Sequence, residues 1–189
     1  MGKAIMNRRA TLLLIIGACA LPGCAAVTSR VDDGFSASDY RLATDDRVRL
    51  IVFGQDDLSN IYTVDGAGRI TVPLIGAVDV EGLTTEAAAR RVAQKLASGF
   101  IREPQVTIEV DTYRPFYVMG EVGRAGQYPY VAGMTVETAV AIGGGFSARA
   151  ARSYATLSRR VGDETMRTNV PVDHPIRPGD TVIIRERWF

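Results

Sequence analysis

The sequence predicts an α+β protein made of two small ββαβ-like units in series, preceded by a cleaved signal peptide. Three observations predict it. Short alternating apolar runs are bounded by Gly and Asp, two helix-length segments each open on Thr, and the N-terminus is basic, then apolar, then small.

The N-terminal segment comes first. Lys3, Arg8 and Arg9 precede an uncharged run from Ala10 to Ala18, and Leu21-Pro22-Gly23-Cys24 follows. That order describes a secretory signal. The apolar run falls short of the roughly 20 residues a spanning helix needs. A buried N-terminal helix would also be apolar, but the basic start and the small residues fit export better. Residues 1–23 are therefore assigned to the signal and 24–38 to a small, polar tether.

The chain has two cysteines, Cys19 and Cys24, both in this region. With Cys24 modified at the cut, the processed chain carries no free thiol, no disulfide framework and no cysteine metal site. Three of the 22 basic residues precede Cys24 and all 21 acidic ones follow it, so the processed chain carries −2. No clustered basic face calls for a nucleic-acid partner. About 166 residues suffice for one domain or two small ones.

In the first unit, Arg47–Phe53 alternates as a half-buried strand, and Gly54-Gln55-Asp56-Asp57 breaks it. Ile61–Val64 and Arg69–Ile75 are expected to form a hairpin around Asp65-Gly66-Ala67-Gly68. Pro73 marks an edge or bulge, and Val78 and Val80 begin another extended piece. Thr84–Ser98 is a helix capped by Thr84 or Thr85, with Ala89, Val92, Ala93, Leu96 and Phe100 as its buried face. Gln105–Asp111 alternates again.

The second unit starts near Arg114. Phe116–Val122 is a strand, Tyr128–Val131 is extended, and Thr135–Ile142 is a short helix stopped by Gly143-Gly144-Gly145. Tyr154–Arg159 is a strand and Val170–Val172 a short piece. A turn at Arg177-Pro178-Gly179-Asp180 leads to a last strand, Thr181–Arg185. No long structureless loop is required.

The order of these pieces resembles a known family. Val64–Gly76 (VDGAGRITVPLIG), Val80–Ala87 (VEGLTTEA) and Pro104–Val110 (PQVTIEV) resemble the polysaccharide export domain of outer-membrane polysaccharide export proteins. Val118–Tyr128 (VMGEVGRAGQY), Thr135–Phe146 (TVETAVAIGGGF) and Arg177–Ile184 (RPGDTVII) resemble the soluble-ligand-binding β-grasp module that follows it. Ala125 stands where that module usually has proline, and Thr44-Asp45-Asp46 stands where the export domain usually opens on Pro-Gly-Asp. The resemblance covers about residues 38–189. It divides the chain into an export domain, 39–113, and a β-grasp domain with a C-terminal strand, 114–189. The end of the signal likewise resembles a lipobox, with Pro22 departing from its middle position and Ile16-Gly17-Ala18-Cys19 as a rival. Lipid attachment is expected at Cys24, where several acyl chains make anchoring stable.

The resemblance implies a non-enzymatic component of exopolysaccharide or capsule export, held by lipid at the periplasmic face of the outer membrane. It implies a ring-shaped homo-oligomer through which the polymer passes, an inner-membrane chain-length or co-polymerase partner, and no cofactor. Some relatives end in a long amphipathic helix that forms an outer-membrane barrel. This chain stops at Phe189 without one, so a separate partner is expected to supply the pore. The alternative is a non-transporting periplasmic module that binds glycans or tethers a partner.

Candidate chemistry is sparse. His174, the only histidine, sits in Asp173-His174-Pro175 and could serve a Ser-His-Asp triad, but reads as a solvated loop residue. Asp45-Asp46 and Asp56-Asp57 could suggest glycoside hydrolysis, yet adjacent acids in turns are expected to be solvent-facing and structural. They lack calcium-loop spacing, and Gly143–Gly145 lacks the Lys of a phosphate loop. No catalytic residue and no metal ligand is expected. Among the aromatics Tyr113, Phe116, Tyr117, Tyr128 and Tyr130, and the charged Glu121, Arg124 and Arg149, the candidate glycan or subunit contacts are Tyr117, Glu121, Arg124 and Tyr128. Strand packing and solvated faces are the competing readings.

Overall fold

The computed structural model describes residues 39–162 and 164–187. The signal, both cysteines and the tether lie outside the described residues. Among those described, no helix is long and apolar enough to cross a membrane.

The described residues are α+β, with two helices and ten strands among them. Strand β1 (Arg47–Val52) is the centre of an antiparallel sheet, between β2 (Asn60–Thr63) and β5 (Val106–Thr112). Its alternation buries Val48, Leu50 and Val52 and leaves Arg47, Arg49 and Ile51 outside. On the outer face the Arg49 guanidinium meets Asp111 at 2.8 Å and holds that carboxyl below its usual range. Helix α1 (Thr85–Ala97) covers the inner face, and the Thr84 hydroxyl accepts the Ala87 N–H at 3.2 Å. Such a cap contributes about 1 kcal/mol. The buried helix face is Ala88, Ala89, Val92 and Leu96. Phe100 falls beyond the last turn and is exposed, because the helical register ends at Ala97.

The expected hairpin between the second and third strands does not form. Strand β3 (Arg69–Val72) pairs instead with β4 (Gly76–Asp79) as a separate two-stranded sheet, while β2 pairs with β1. The turn at Asp65–Gly68 carries the chain between sheets. Asp65 accepts the N–H groups of Ala67 and Arg69, and the Gly68 carbonyl accepts those of Val80 and Glu81. The β3–β4 hairpin turns at Pro73-Leu74-Ile75, with Leu74 at φ 69° and exposed.

The second half forms a five-stranded sheet. Its order is β7 (Gly126–Tyr128), β6 (Phe116–Gly120), β10 (Thr181–Ile184), β8 (Tyr154–Val161), β9 (Glu164–Pro171). The last strand lies parallel to β6 and antiparallel to β8, a β-grasp arrangement. Strand β9 is longer than the Val170–Val172 piece expected, because backbone pairing with β8 runs along its whole length although most of its side chains face solvent. Helix α2 (Val136–Ile142) packs Val136, Ala139 and Val140 against Phe116, Val118, Leu157, Val182 and Ile184. Full burial of a side chain of this size contributes about 1.5–3 kcal/mol. Tyr113 is half-buried and packs against both hydrophobic cores.

Candidate functional site

Local hydrogen bonding places each candidate residue. Tyr117 stands on the outer face of β6, opposite Gln127 and Thr181, and is 40% exposed. With Met119, Ala125, Gln127 and Thr181 it lines an open groove of about 660 Å³. Tyr128 pairs with Phe116 and so faces the other side of the ribbon, its ring 6.0 Å from the buried Phe116 ring. The Tyr128 hydroxyl donates to the Arg124 carbonyl at 2.8 Å. Tyr117 and Tyr128 therefore do not share a face.

Glu121 belongs to a third group. Its carboxylate accepts the Ser147 hydroxyl at 2.5 Å and the Arg149 guanidinium at 3.3 Å, and Arg149 also reaches Glu186 at 3.2 Å. Arg149 thus pairs both acids, tying the loop after β6 to the segment that follows β10. Of the other aromatics, Phe116 is wholly buried. Tyr130 is buried and donates to the Ile176 carbonyl at 3.1 Å. Tyr113 stacks edge-on between Tyr40 (4.9 Å between centroids) and Tyr130 (5.6 Å). Burial raises the phenol pKa values of both Tyr113 and Tyr130.

The acid pairs behave unequally. Asp56 and Asp57 are exposed in a single 3-10 turn, Asp56–Leu58, and Asp45 is also exposed. Asp46, expected to face solvent, is fully buried instead. Its carboxylate accepts hydrogen bonds from the Tyr40 hydroxyl (2.7 Å), the Ala43 N–H (2.8 Å), the Arg114 N–H (2.9 Å) and the Arg114 guanidinium (3.4 Å). The same guanidinium donates to the Tyr40 oxygen at 2.8 Å. Every contact comes from the protein, which makes Asp46 a structural tie. A buried charge is tolerated only when paired and hydrogen-bonded in this way.

The tie has a counterpart in the second half. The turn Ala43-Thr44-Asp45-Asp46 has φ 72° at its third residue, and the N–H of Ala43 donates to the Asp46 carboxylate. In Arg177-Pro178-Gly179-Asp180, Gly179 has φ 85° and the N–H of Arg177 donates to Asp180 at 2.7 Å. Asp180 is also buried and takes a bidentate fork from Arg159 at 2.9 and 2.8 Å. Such forks are among the stronger charge-assisted pairs. Thr44-Asp45-Asp46 therefore builds the turn that Pro178-Gly179-Asp180 builds, with Asp45 in the glycine position. The shared terminal Asp was the sequence signal for both; their arginine partners, far away along the chain, carried none.

His174 lies half-buried in the turn after β9, where its carbonyl accepts the Val136 N–H at 3.0 Å. Among the described residues no cluster of His, Cys, Asp and Glu could hold a metal ion. Cys24, the expected lipid site, lies outside the described residues.

Known proteins share these two halves. Residues 36–111 match the family of polysaccharide biosynthesis/export proteins, and residues 115–169 match the SLBB domain. An export domain followed by this module, together with the relative below, supports the polysaccharide export protein family for this chain. It is 32% identical over 139 residues to the exopolysaccharide production protein ExoF of Rhizobium meliloti (strain 1021), a match that covers 65% of this chain and 33% of that protein. The chain therefore spans about a third of the length of that relative.

Proposed function

We propose that this protein is a non-enzymatic component of an exopolysaccharide or capsule export system in the bacterial envelope. The observation that carries the reading is the succession of an export domain and an SLBB domain in one chain, joined by the Tyr40–Asp46–Arg114 tie. The similarity to a protein named for exopolysaccharide production supports it.

In this reading residues 39–113 and 114–189 are the working domains. The chain is held at the periplasmic face of the outer membrane by lipid on Cys24, and copies of it associate into a ring that conducts polymer. An inner-membrane chain-length protein hands polymer to it, and a separate pore completes the outer-membrane crossing. Tyr117, Glu121, Arg124 and Tyr128 are contacts to glycan or to the neighbouring subunit, with Tyr117 and Arg124 the exposed ones.

Deleting the gene and measuring surface and released polysaccharide tests export. Loss of polymer at the surface, with polymer accumulating inside, is expected; unchanged surface polymer overturns the reading. The open groove beside Tyr117 favours a second reading, a glycan-binding or tethering module that conducts nothing. Counting subunits of the full-length protein in detergent separates the two: a ring supports the conduit, and a stable monomer supports the module.

A further inference from the structure

The register of the second sheet aligns one side chain from each of its strands. Thr181 of β10 lies beside Tyr117 of β6 on one side and Ser158 of β8 on the other. Tyr117 in turn lies opposite Gln127 of β7, and Ser158 opposite Arg167 of β9. Directly paired residues project from the same face of a sheet. That face is the outer one, since the residues that alternate with them, Phe116, Val118, Val182 and Leu157, are buried on the side of α2. Gln127, Tyr117, Thr181, Ser158 and Arg167 therefore form one row across all five strands. Four strand spacings of about 4.8 Å make the row about 19 Å long.

Each of the five carries a polar group, and each is exposed or half-buried. Among the described residues, none of these five side chains makes a hydrogen bond or an ion pair within the protein. This separates them from Glu121, Arg149 and Tyr128, whose polar atoms are engaged. Beside the row, Met119 shares the outer face of β6 with Tyr117 and is 52% exposed. The open groove described above takes in Tyr117, Met119, Gln127 and Thr181. An aromatic face next to a line of unengaged donors and acceptors suits a sugar. A pyranose lays its C–H face on an aromatic ring and directs its hydroxyls to amide, hydroxyl and guanidinium groups.

The strand spacing selects the shape of the chain. About 4.8 Å is close to the length of one pyranose unit in an extended, β-linked chain, so such a chain crossing the strands keeps step with the row. An α-linked chain that coils leaves the row within a short distance. We propose that Gln127, Tyr117, Thr181, Ser158 and Arg167 form a track for an extended, β-linked saccharide chain lying across the strands. The proposal rests on the export reading for its polymer and adds the shape of that polymer and the side chains that hold it. Tyr117 carries a sugar ring, Gln127, Thr181 and Ser158 bind hydroxyls, and the Arg167 guanidinium binds sugar oxygens at the β9 end.

The test titrates the full-length protein, in a detergent without a sugar headgroup, with cellobiose, cellotetraose, cellohexaose and maltotetraose by calorimetry. Affinity is expected to rise ~10-fold or more from cellobiose to cellotetraose, and to change less than ~3-fold from cellotetraose to cellohexaose, because the row is then filled. Maltotetraose is expected to bind at least ~10-fold less tightly than cellotetraose. Tyr117→Ala is expected to weaken cellotetraose binding ~10-fold and Arg167→Ala at least ~3-fold, with circular dichroism unchanged. Arg90→Gln, on the exposed face of α1, serves as the control and leaves binding intact. No binding of the cello-oligosaccharides, equal affinity for cellotetraose and maltotetraose, or cellotetraose binding that survives both alanine variants overturns the proposal. Its failure is distinguishable from failure of the export reading: a deletion strain that still loses surface polymer, alongside a protein indifferent to cellotetraose, removes only the track.

Discussion

Asp46 and Arg114 lie 68 positions apart in the chain, yet both the N–H and the guanidinium of Arg114 bind the Asp46 carboxylate, at 2.9 and 3.4 Å. Arg114 follows Tyr113, whose ring touches both cores, and Asp46 precedes the central strand of the first sheet. The pair therefore ties the junction of the halves to the base of the first. A buried carboxylate with donors from two segments fixes their relative position, because losing any donor leaves charge unsatisfied.

Removing one partner of this tie is expected to destabilise strongly. Asp46→Ala takes the acceptor from Tyr40, Ala43 and Arg114 together and is expected to cost about 3 kcal/mol. Arg114→Met is expected to cost less, because its side chain is 27% exposed and solvent screens the pair. Tyr40→Phe and Arg114→Met, singly and combined, form a double-mutant cycle by urea unfolding. A coupling of about 0.5–2 kcal/mol is expected for groups in one network, and strict additivity would show that the tie does not act as a unit.

The matched turns at Asp45 and Gly179 predict opposite responses. Asp45 sits at φ 72°, where glycine is free of strain, so Asp45→Gly is expected to leave stability within about 1 kcal/mol of the wild type or raise it. Gly179 sits at φ 85°, and a β-carbon there would lie 2.7 Å from the Arg114 Nε. Gly179→Ala would strain the turn and push Arg114 from Asp46, at an expected cost of about 2 kcal/mol. Thermal unfolding of both variants checks this, and a Gly179→Ala protein as stable as the parent would contradict it.

The sequence made some features plain and hid others for identifiable reasons. Thr84 and Thr135 both cap the helices they precede, since capping is settled within three residues. Strand alternation likewise showed Val48, Leu50 and Val52 as inward. The partner of β2 was hidden, because inward alternation looks the same whether β2 pairs with β1 or β3. Strand β9 was hidden because Glu164–Asn169 are exposed and held by backbone bonds alone. The burial of Asp46 depended on Tyr40 and Arg114 folding over it.

Tyr40 predicts how stability depends on alkali. Burial, and then the negative charge of Asp46, push its phenol well above the ordinary value of about 10. The folded state therefore keeps the phenol neutral where the unfolded chain ionises. The contribution is complete below pH 10 and is lost as pH rises above it, by at most about 1.4 kcal/mol per pH unit for one group. Urea midpoints measured from pH 9 to about 11.5 are expected to fall for the wild type and to fall less steeply for Tyr40→Phe. Tyr62, Tyr113 and Tyr130 are also raised by burial, so some slope remains. Parallel curves for the two proteins would remove Tyr40 from the account.

Anchoring makes a separate prediction. Cys24→Ser is expected to abolish incorporation of radiolabelled palmitate and release the protein from the membrane fraction. Label that persists in Cys24→Ser and disappears in Cys19→Ser would move the attachment to Cys19.

Thr156 offers the cleanest stability test, since it is not itself a proposed contact. It lies on β8, paired with Ile183 of the last strand on one side and Asn169 of β9 on the other. It is 5% exposed, and its hydroxyl finds no hydrogen-bond partner among the described residues. A buried hydroxyl without a partner costs about 1–3 kcal/mol, and an apolar group of the same shape avoids that cost. Valine has that shape and favours strands. Thr156→Val is therefore expected to raise stability by about 1 kcal/mol, with no change in saccharide binding. A destabilised variant would mean that the hydroxyl is satisfied in solution by a water bridging the sheet, and that Thr156 stabilises the centre of the β-grasp through that water.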